Sequence, residues 1–388
     1  MIDFDNTEIA FRDKNNYALK KARWLFSLVG SDVLVKTGSV LLHGALRMRL
    51  PVSWALKPTV FSHFCGGETI DECDPTIQKL GESNVLTILD YSAEGKDNED
   101  DFEYTRQQIQ ATIDKSVENK HIPYAVFKPS GLARVALLEK VQAGHTLSES
   151  EQQEMDRVKT RFDDIIAYGA KRGVPVMVDS EETWIQEVVD GIVDDLMLRY
   201  NKEKPIVFNT LQMYRHDRLA YLKNTIARCR EEGVYPAFKL VRGAYMEKER
   251  EHARKAGKPS PIYPDKEATD KAFDEAAAIC LNNADDVAVC IATHNEISCL
   301  KAVDVIATSS LPVDHPHISF AQLLGMSDHI SYNLAAGEYN VCKYVPYGPV
   351  KTVVPYLIRR AEENTSVAGQ TSRELFLIKK ELQRRKSS

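Results

Sequence analysis

The sequence predicts an α/β protein built as a (β/α)8 barrel, and three observations lead there. Eight short apolar, β-branched runs alternate with longer helical patterns, the order expected of repeated strand–helix units. Several runs, such as Pro175-Val-Met-Val and Val287-Ala-Val-Cys-Ile-Ala, are apolar without a break; such strands are buried on both faces, in a parallel sheet covered by helices. No GxGxxG follows any run, so the rival doubly wound open sheet lacks its dinucleotide fingerprint.

In order, the strands are expected at Val85–Tyr91, Tyr124–Lys128, Pro175–Asp179, Ile206–Leu211, Ala237–Arg242, Val287–Thr293, His317–Phe320 and Asn340–Val345. The helices between and after them are expected at Asp100–Glu118, Glu151–Arg172, Glu182–Tyr200, Asp217–Glu232, Lys266–Leu281, Glu296–Ala307 and Val350–Glu363, with Phe320–Leu334 the least clear segment. Ahead of the barrel, Asn15–Leu28 and Ser31–Leu50 read as helices. Ala18, Leu19, Ala22, Leu25 and Phe26 recur at helical spacing and mark a core-facing stripe. Arg373–Arg385 reads as one more helix. The expected organisation is a helical arm or cap over 1–80, the barrel over 81–366, and a C-terminal helix with a basic tail over 367–388.

A chain of 388 residues with 43% hydrophobic content has enough material for a large core. A formal net charge of -6 gives no global reason to expect nucleic acid as a partner. The basic stretch Lys379-Lys380 and Arg384-Arg385-Lys386 reads as a solvated helix end, with a membrane-surface contact as the other option. Seven cysteines, an odd number with no CxxC spacing, imply neither a disulfide framework nor a zinc site, and hence a reducing compartment. Asp3, Asp5, Glu8 and Asp13 make the N-terminus unlike a signal or transit peptide, and no apolar stretch is long enough to span a membrane. The expectation is a cytoplasmic protein, with peripheral contact to the inner membrane left open.

Barrels of this kind place their chemistry at the C-terminal ends of the strands. The polar residues there are Asp90, Lys128, Asp179 with Glu181, Asn209 with Gln212, Lys239 with Arg242, His294 with Asn295, Gln322 and Tyr344, joined by Arg359 and Arg360 from the last barrel helix. Singly, each reads as a rim residue; together they describe a cationic pocket for an anion. Adjacent residues on a helix point about 100° apart. Arg359 and Arg360 therefore either converge on a small carboxylate from a helix lying across the mouth, or one binds while the other pairs with Glu363 or faces solvent. Lys239 and Arg242 flank Gly243, whose missing side chain permits close approach of a ligand. They either stabilise negative charge developing on a cofactor or neutralise Glu247 and Glu249. His315 with His317, and His63 with Cys65, lack further ligands at metal spacing, so no metal is assigned. Neither a GxSxG elbow nor a P-loop is present.

Taken together, these residues resemble the proline dehydrogenase family. The resemblance covers roughly 85–363 and is dense in Phe208-Asn-Thr-Leu-Gln-Met-Tyr214, Lys239-Leu-Val-Arg-Gly-Ala-Tyr245, Ala292-Thr-His-Asn295, Gln322-Leu-Leu-Gly-Met326, Tyr344-Val-Pro-Tyr-Gly-Pro349 and Tyr356–Asn364. Its wording is closer to the mitochondrial-type enzymes than to the long bifunctional bacterial ones. It implies a distorted TIM barrel whose final helix lies over the mouth, non-covalent FAD, oxidation of L-proline to 1-pyrroline-5-carboxylate by hydride transfer from C5 to flavin N5, and a quinone-type electron acceptor. The chain ends soon after the barrel, so a separate pyrroline-5-carboxylate dehydrogenase is expected downstream.

Position by position, Arg359 and Arg360 match the pair that grips the proline carboxylate, Lys128 in Phe127-Lys-Pro-Ser130 a substrate-contacting lysine, and Asp179 in Val178-Asp-Ser-Glu181 the active-site aspartate. Tyr344 matches the tyrosine on the proline ring, where relatives preferring hydroxyproline carry a smaller residue, and Leu323 matches an apolar pocket wall. Catalytic roles fall on Asp179, Lys239 and Lys128. Ser180, Gln212, Lys239, Arg242, Gly243, Ala244, Tyr245, Thr293, His294 and Glu363 fall on flavin-contacting positions. Two residues depart from the bacterial pattern: Lys239 replaces an arginine beside flavin N5, keeping the charge without the planar fork, and Met246 replaces a common Trp. The alternatives are a hydroxyproline or other cyclic imino-acid dehydrogenase, a non-catalytic barrel, and a lyase using Lys239 as a Schiff base.

Overall fold

The computed structural model describes residues 2–30, 35, 37–38, 42, 48, 52–92, 94–366 and 370–387. Eight parallel strands close into a barrel in sequence order. They are β1 (Leu86–Tyr91), β2 (Tyr124–Phe127), β3 (Val176–Val178), β4 (Val207–Gln212), β5 (Ala237–Val241), β6 (Ala288–Ala292), β7 (Ile318–Leu323) and β8 (Val341–Tyr347). All eight expected strands are present, displaced only at their ends. β8 runs past Val345 through Pro346, which stands opposite Asp90 of β1. Proline brings no N–H to a ladder, but the Pro346 carbonyl accepts from Gly66 N–H at 2.9 Å.

The chain divides into two compact units, Ala93–Ala321 and Met1–Ser92 with Gln322–Ser388. In the first, helices at Glu99–Glu118, Glu149–Arg172, Thr183–Tyr200, Arg218–Glu231, Lys266–Leu281 and Glu296–Thr308 match the expected ones. The second of these starts at Glu149 because Ser148 caps it, its hydroxyl accepting from Glu151 N–H while the Glu151 carboxylate accepts from Ser148 N–H. It stops at Gly173, whose φ of 71° lies in the left-handed region. Phe127 meets Phe162 edge-on at 5.0 Å amid the wholly buried Ile113, Val158, Ile166, Val176 and Val189. Two helices were not expected, Val135–Gln142 and Met246–Lys255. The first is short, and the second buries only Glu249 and Ala253, so neither shows a clear apolar period.

In the other unit, Leu19, Ala22, Leu25 and Phe26 of the Asn16–Val29 helix are buried and Ala18 is half-buried. Leu19, Ala22 and Phe26 pack with Phe11, Leu377, Ile378 and Leu382. The expected Ser31–Leu50 helix falls almost wholly outside the described residues. The unclear Phe320–Leu334 segment resolves into the end of β7, a turn with Gly325 at φ 77° and Ser327 at φ 51°, and a helix over Asp328–Ala336. Every residue from Asp328 to Ala335 is buried, which erases the polar face that would betray a helix. The expected C-terminal helix spans Gln370–Ser387. At its basic end Arg385 donates to Phe11 O at 2.9 Å and Lys14 O at 2.6 Å, and Arg384 and Arg385 both bind Glu381, while Lys379, Lys380 and Lys386 are exposed. All seven cysteines are buried. No helix among the described residues is long and apolar enough to cross a membrane.

Candidate active site

Within the Ala93–Ala321 unit, three strands bring together Lys128, Asp179 and Lys239. Lys128 directly follows β2, Asp179 follows β3, and Lys239 lies inside β5 opposite Thr210 and Cys290. Asp179 Oδ2 lies 3.4 Å from Lys128 Nζ, and Asp179 Oδ1 accepts from Lys239 Nζ. The side chains are 9%, 13% and 5% exposed. Lys128 and Lys239, distant in sequence, thus share one carboxylate. Two ammoniums and one carboxylate leave a net positive charge in a half-dry place, where developing negative charge is stabilised far more than in water.

A buried carboxylate that the sequence showed only as a strand-end residue holds this cluster in place. Glu181, 3% exposed, accepts from Ser130 N–H at 2.7 Å and Ser130 Oγ at 2.6 Å. That fixes the turn after Lys128 to the turn after Asp179. The Glu181 carbonyl accepts from Gln212 Nε2 at 2.5 Å, and Glu181 N–H donates to Gln186 Oε1 at 3.0 Å. The ends of β2, β3 and β4 are thus tied to one residue. Burial, with Glu94 nearby, pushes the Glu181 carboxyl up to about 8. A carboxyl raised from its unfolded value of 4.5 favours the protonated native state. Its contribution to stability is complete below that value and is lost as pH rises through the folded one. Glu181→Gln mimics the neutral form, so its Tm relative to wild type is expected to climb between pH 5 and 8, at up to about 1.4 kcal/mol of relative stability per pH unit. A pH-independent difference between the two melting curves contradicts this.

Arg242 does not join Lys239. Its Nε donates to Asp270 at 2.7 Å, Nη1 to Thr293 Oγ1 at 2.5 Å and Nη2 to Ser298 Oγ at 2.8 Å, with the guanidinium over the Phe273 ring at 4.4 Å. Three residues of separation on a strand put two side chains on opposite faces. Lys239 therefore faces the Asp179 side and Arg242 the outer helices. The alternative in which this pair neutralises Glu247 and Glu249 fails: Glu249 instead caps the Thr183–Tyr200 helix, accepting from Thr183 N–H at 2.8 Å and Thr183 Oγ1 at 2.5 Å. Gly243 has φ 133°, and a Cβ there would meet the Tyr214 ring at 2.5 Å. The close approach that demands glycine is made by Tyr214. Ala244 is exposed, Tyr245 buried and His294 half-buried. The Ser180 hydroxyl is buried and finds no hydrogen-bond partner among the described residues.

The other unit holds the remaining candidates. Tyr344 on β8 is buried and its carbonyl accepts from Leu324 N–H at 2.9 Å, setting the half-buried Leu323 beside it. Arg359 is half-buried and Arg360 7% exposed, its guanidinium 5.2 Å from the Tyr356 ring centroid. The Glu363 side chain lies outside the described residues, so its pairing with either arginine is not described. The HxH histidines have structural partners, His317 Nδ1 meeting Ala284 O at 2.8 Å. His63 Nε2 meets Gly325 O at 2.9 Å, and burial drives its pKa down to about 4. Among the described residues no three His, Cys, Asp or Glu side chains gather as a metal requires.

Comparison with known proteins bears on the family and the fold. A carbapenem antibiotics biosynthesis protein of Pectobacterium carotovorum is 34% identical over 84% of this chain and 84% of its own length. A mitochondrial proline dehydrogenase of Dictyostelium discoideum is 30% identical over 88% of this chain and 67% of its own. The crystal structure of proline utilization A from Bdellovibrio bacteriovorus superposes on 93% of this chain with a TM-score of 0.72 at 18% identity; the chain spans 38% of that protein. The family described as proline dehydrogenase matches residues 73–373, and with that match this barrel belongs to the proline dehydrogenase family.

Proposed function

We propose that the chain oxidises L-proline to 1-pyrroline-5-carboxylate with FAD bound at the strand ends. The observation that carries this reading is the Asp179 carboxylate held between the buried ammoniums of Lys128 and Lys239. A flavin, when bound, supplies a two-electron acceptor for the hydride of proline C5. Its contacts are assigned to Ser180, Gln212, Lys239, Arg242, Gly243, Ala244, Tyr245, Thr293, His294 and Glu363. The unsatisfied Ser180 hydroxyl fits that assignment, since a buried polar atom without a partner costs about 1–3 kcal/mol unless a ligand completes it.

Arg359 and Arg360 grip the proline carboxylate, because a guanidinium fork matches a carboxylate in two-point contact. Tyr344 and Leu323 cover the ring. The secondary ammonium of proline must lose a proton before its lone pair can assist departure of the hydride. Asp179 Oδ2 is assigned as the proton acceptor, with Lys128 paired to it. Lys239 offsets the negative charge that accumulates as hydride leaves. Electrons then pass to a quinone-type acceptor, met by peripheral contact of a cytoplasmic protein with the inner membrane.

Anaerobic addition of proline to the purified yellow protein is expected to bleach its visible flavin bands; a spectrum that stays unchanged sinks the reading. Tyr344 stands where a bulky ring leaves little room for a 4-hydroxyl, so the rate with 4-hydroxyproline is expected to be lower. The Schiff-base lyase is disfavoured because the Lys239 amine is engaged in an ion pair with Asp179. Borohydride in the presence of carbonyl substrates is expected to leave the mass of the protein unchanged.

A further inference from the structure

Lys343 lies on β8 between Cys342 and Tyr344, in a strand whose every residue is buried. Its side chain is 0% exposed. A buried ammonium costs several kcal/mol unless each of its three N–H groups is satisfied and its charge is met. Here both conditions hold. Lys343 Nζ lies 2.9 Å from Asp328 Oδ1 and donates to Met326 O at 2.5 Å and Leu323 O at 3.3 Å. Two of these acceptors are the carbonyls at the ends of the turn that carries Leu323.

That turn needs external support. Gly325 and Ser327 both adopt positive φ, and a non-glycine residue there is strained by roughly 1 kcal/mol or more. A Cβ on Gly325 would meet the His63 carbonyl at 2.4 Å, so the turn is pressed against a neighbour as well as bent. Ser327 N–H donates to the buried Glu374 at 2.5 Å. Lys343 is the group that reaches both ends.

The charge that retains Lys343 is itself shared. Asp328 Oδ2 accepts from Lys14 Nζ at 2.6 Å, a residue 314 positions away in the N-terminal segment. Asp328 is 8% exposed and Lys14 17%. Lys14 also lies 3.7 Å from Asp13 Oδ1, while Asp13 Oδ2 accepts from Tyr332 OH at 2.8 Å and pairs with Lys79 at 3.3 Å. The order of contacts runs from Lys14 to Asp328, to Lys343, to the carbonyls of Leu323 and Met326. Alongside it, Leu324 N–H reaches the Tyr344 carbonyl.

We propose that Lys14 is a positioning residue for substrate selectivity: through Asp328 and Lys343 it fixes the turn bearing Leu323 against Tyr344. The N-terminal segment thereby sets the wall that faces the ring of the imino acid. This inference rests on the reading of the protein as a proline dehydrogenase with Leu323 and Tyr344 as its ring-facing wall.

The test is the ratio of kcat/KM for proline to kcat/KM for 4-hydroxyproline, which does not depend on how much enzyme is active. Lys14→Gln keeps most of the stem and removes the charge. Lys14→Arg keeps the charge but shifts the donors into a planar fork. The ratio is expected to fall about five-fold in Lys14→Gln and about two-fold in Lys14→Arg, as the wall loosens and discrimination against one added hydroxyl weakens. Lys79→Met, which disturbs Asp13 but not Asp328, is the control and is expected to keep the wild-type ratio. If Lys14→Gln does not fold, Lys14→Arg decides alone. An unchanged ratio in the folded Lys14 variants, with only Tm lowered, overturns the proposal and leaves Lys14 a purely structural ion. A wild type that oxidises neither imino acid instead overturns the proline reading itself, and this proposal with it.

Discussion

Truncating Arg360 to alanine is expected to raise the KM for proline about a hundred-fold, with the flavin spectrum retained. The estimate follows from chemistry and burial. A guanidinium that is 7% exposed meets a carboxylate with little competition from water, and removing one partner of such a pair costs about 2–5 kcal/mol, of which about 2.7 corresponds to a hundred-fold. Arg359 is half-buried, so its truncation is expected to cost less. The loss belongs in KM more than in kcat, because the carboxylate is gripped in both the ground state and the transition state. Steady-state kinetics on both variants decide this. A variant that loses its flavin while the KM of the remaining holoenzyme is unchanged returns Arg360 to a structural role.

Replacing Asp328 by asparagine is expected to destabilise the protein by about 3–5 kcal/mol, the cost of stranding a buried charge. Two ammoniums depend on this one carboxylate, and the pull of Lys14 and Lys343 overcomes burial to hold Asp328 well below the usual carboxylate range. Lys343 cannot turn to water, since none of its side chain is exposed. The contrast is Arg230 with Asp286, an ion pair 45% and 39% exposed, where Arg230→Ala is expected to cost at most about 1 kcal/mol. Urea titration of the two variants measures both; equal losses refute the assignment of burial as the cause.

The parts of this molecule that were legible in the sequence are those where chemistry repeats along the chain. Unbroken runs such as Val287–Ala292 announced strands, and the spacing of Leu19, Ala22 and Phe26 announced a packed helix. The Arg-Arg pair and the Lys239–Tyr245 run were visible because their composition is unusual. What stayed hidden were partnerships between distant residues. Nothing local joins Glu181 to Ser130, 51 positions apart, or Lys14 to Asp328. One signal for the second was nonetheless present. A lysine inside an apolar strand of a parallel sheet, as in Val341-Cys-Lys-Tyr-Val345, must find a counter-ion, and Asp328 was within reach of that reasoning. Lys239 and Arg242 were read as neighbours because they are close in sequence, whereas the alternation of a strand sends them to opposite sides.

The discontinuous unit also dictates an order of assembly. Residues 93–321 form a contiguous stretch with its own core and can condense while translation continues, as contiguous units do. The segment before it cannot finish. Leu19 and Phe26 await Leu377 and Ile378, and Lys14 awaits Asp328. An emerging polypeptide therefore carries an amphipathic helix with its apolar side uncovered until Leu377 and Ile378 have been made. Emergence of the Gln370–Ser387 helix, rather than any local event, supplies the missing partners, and the interval before it is when a chaperone has most to protect.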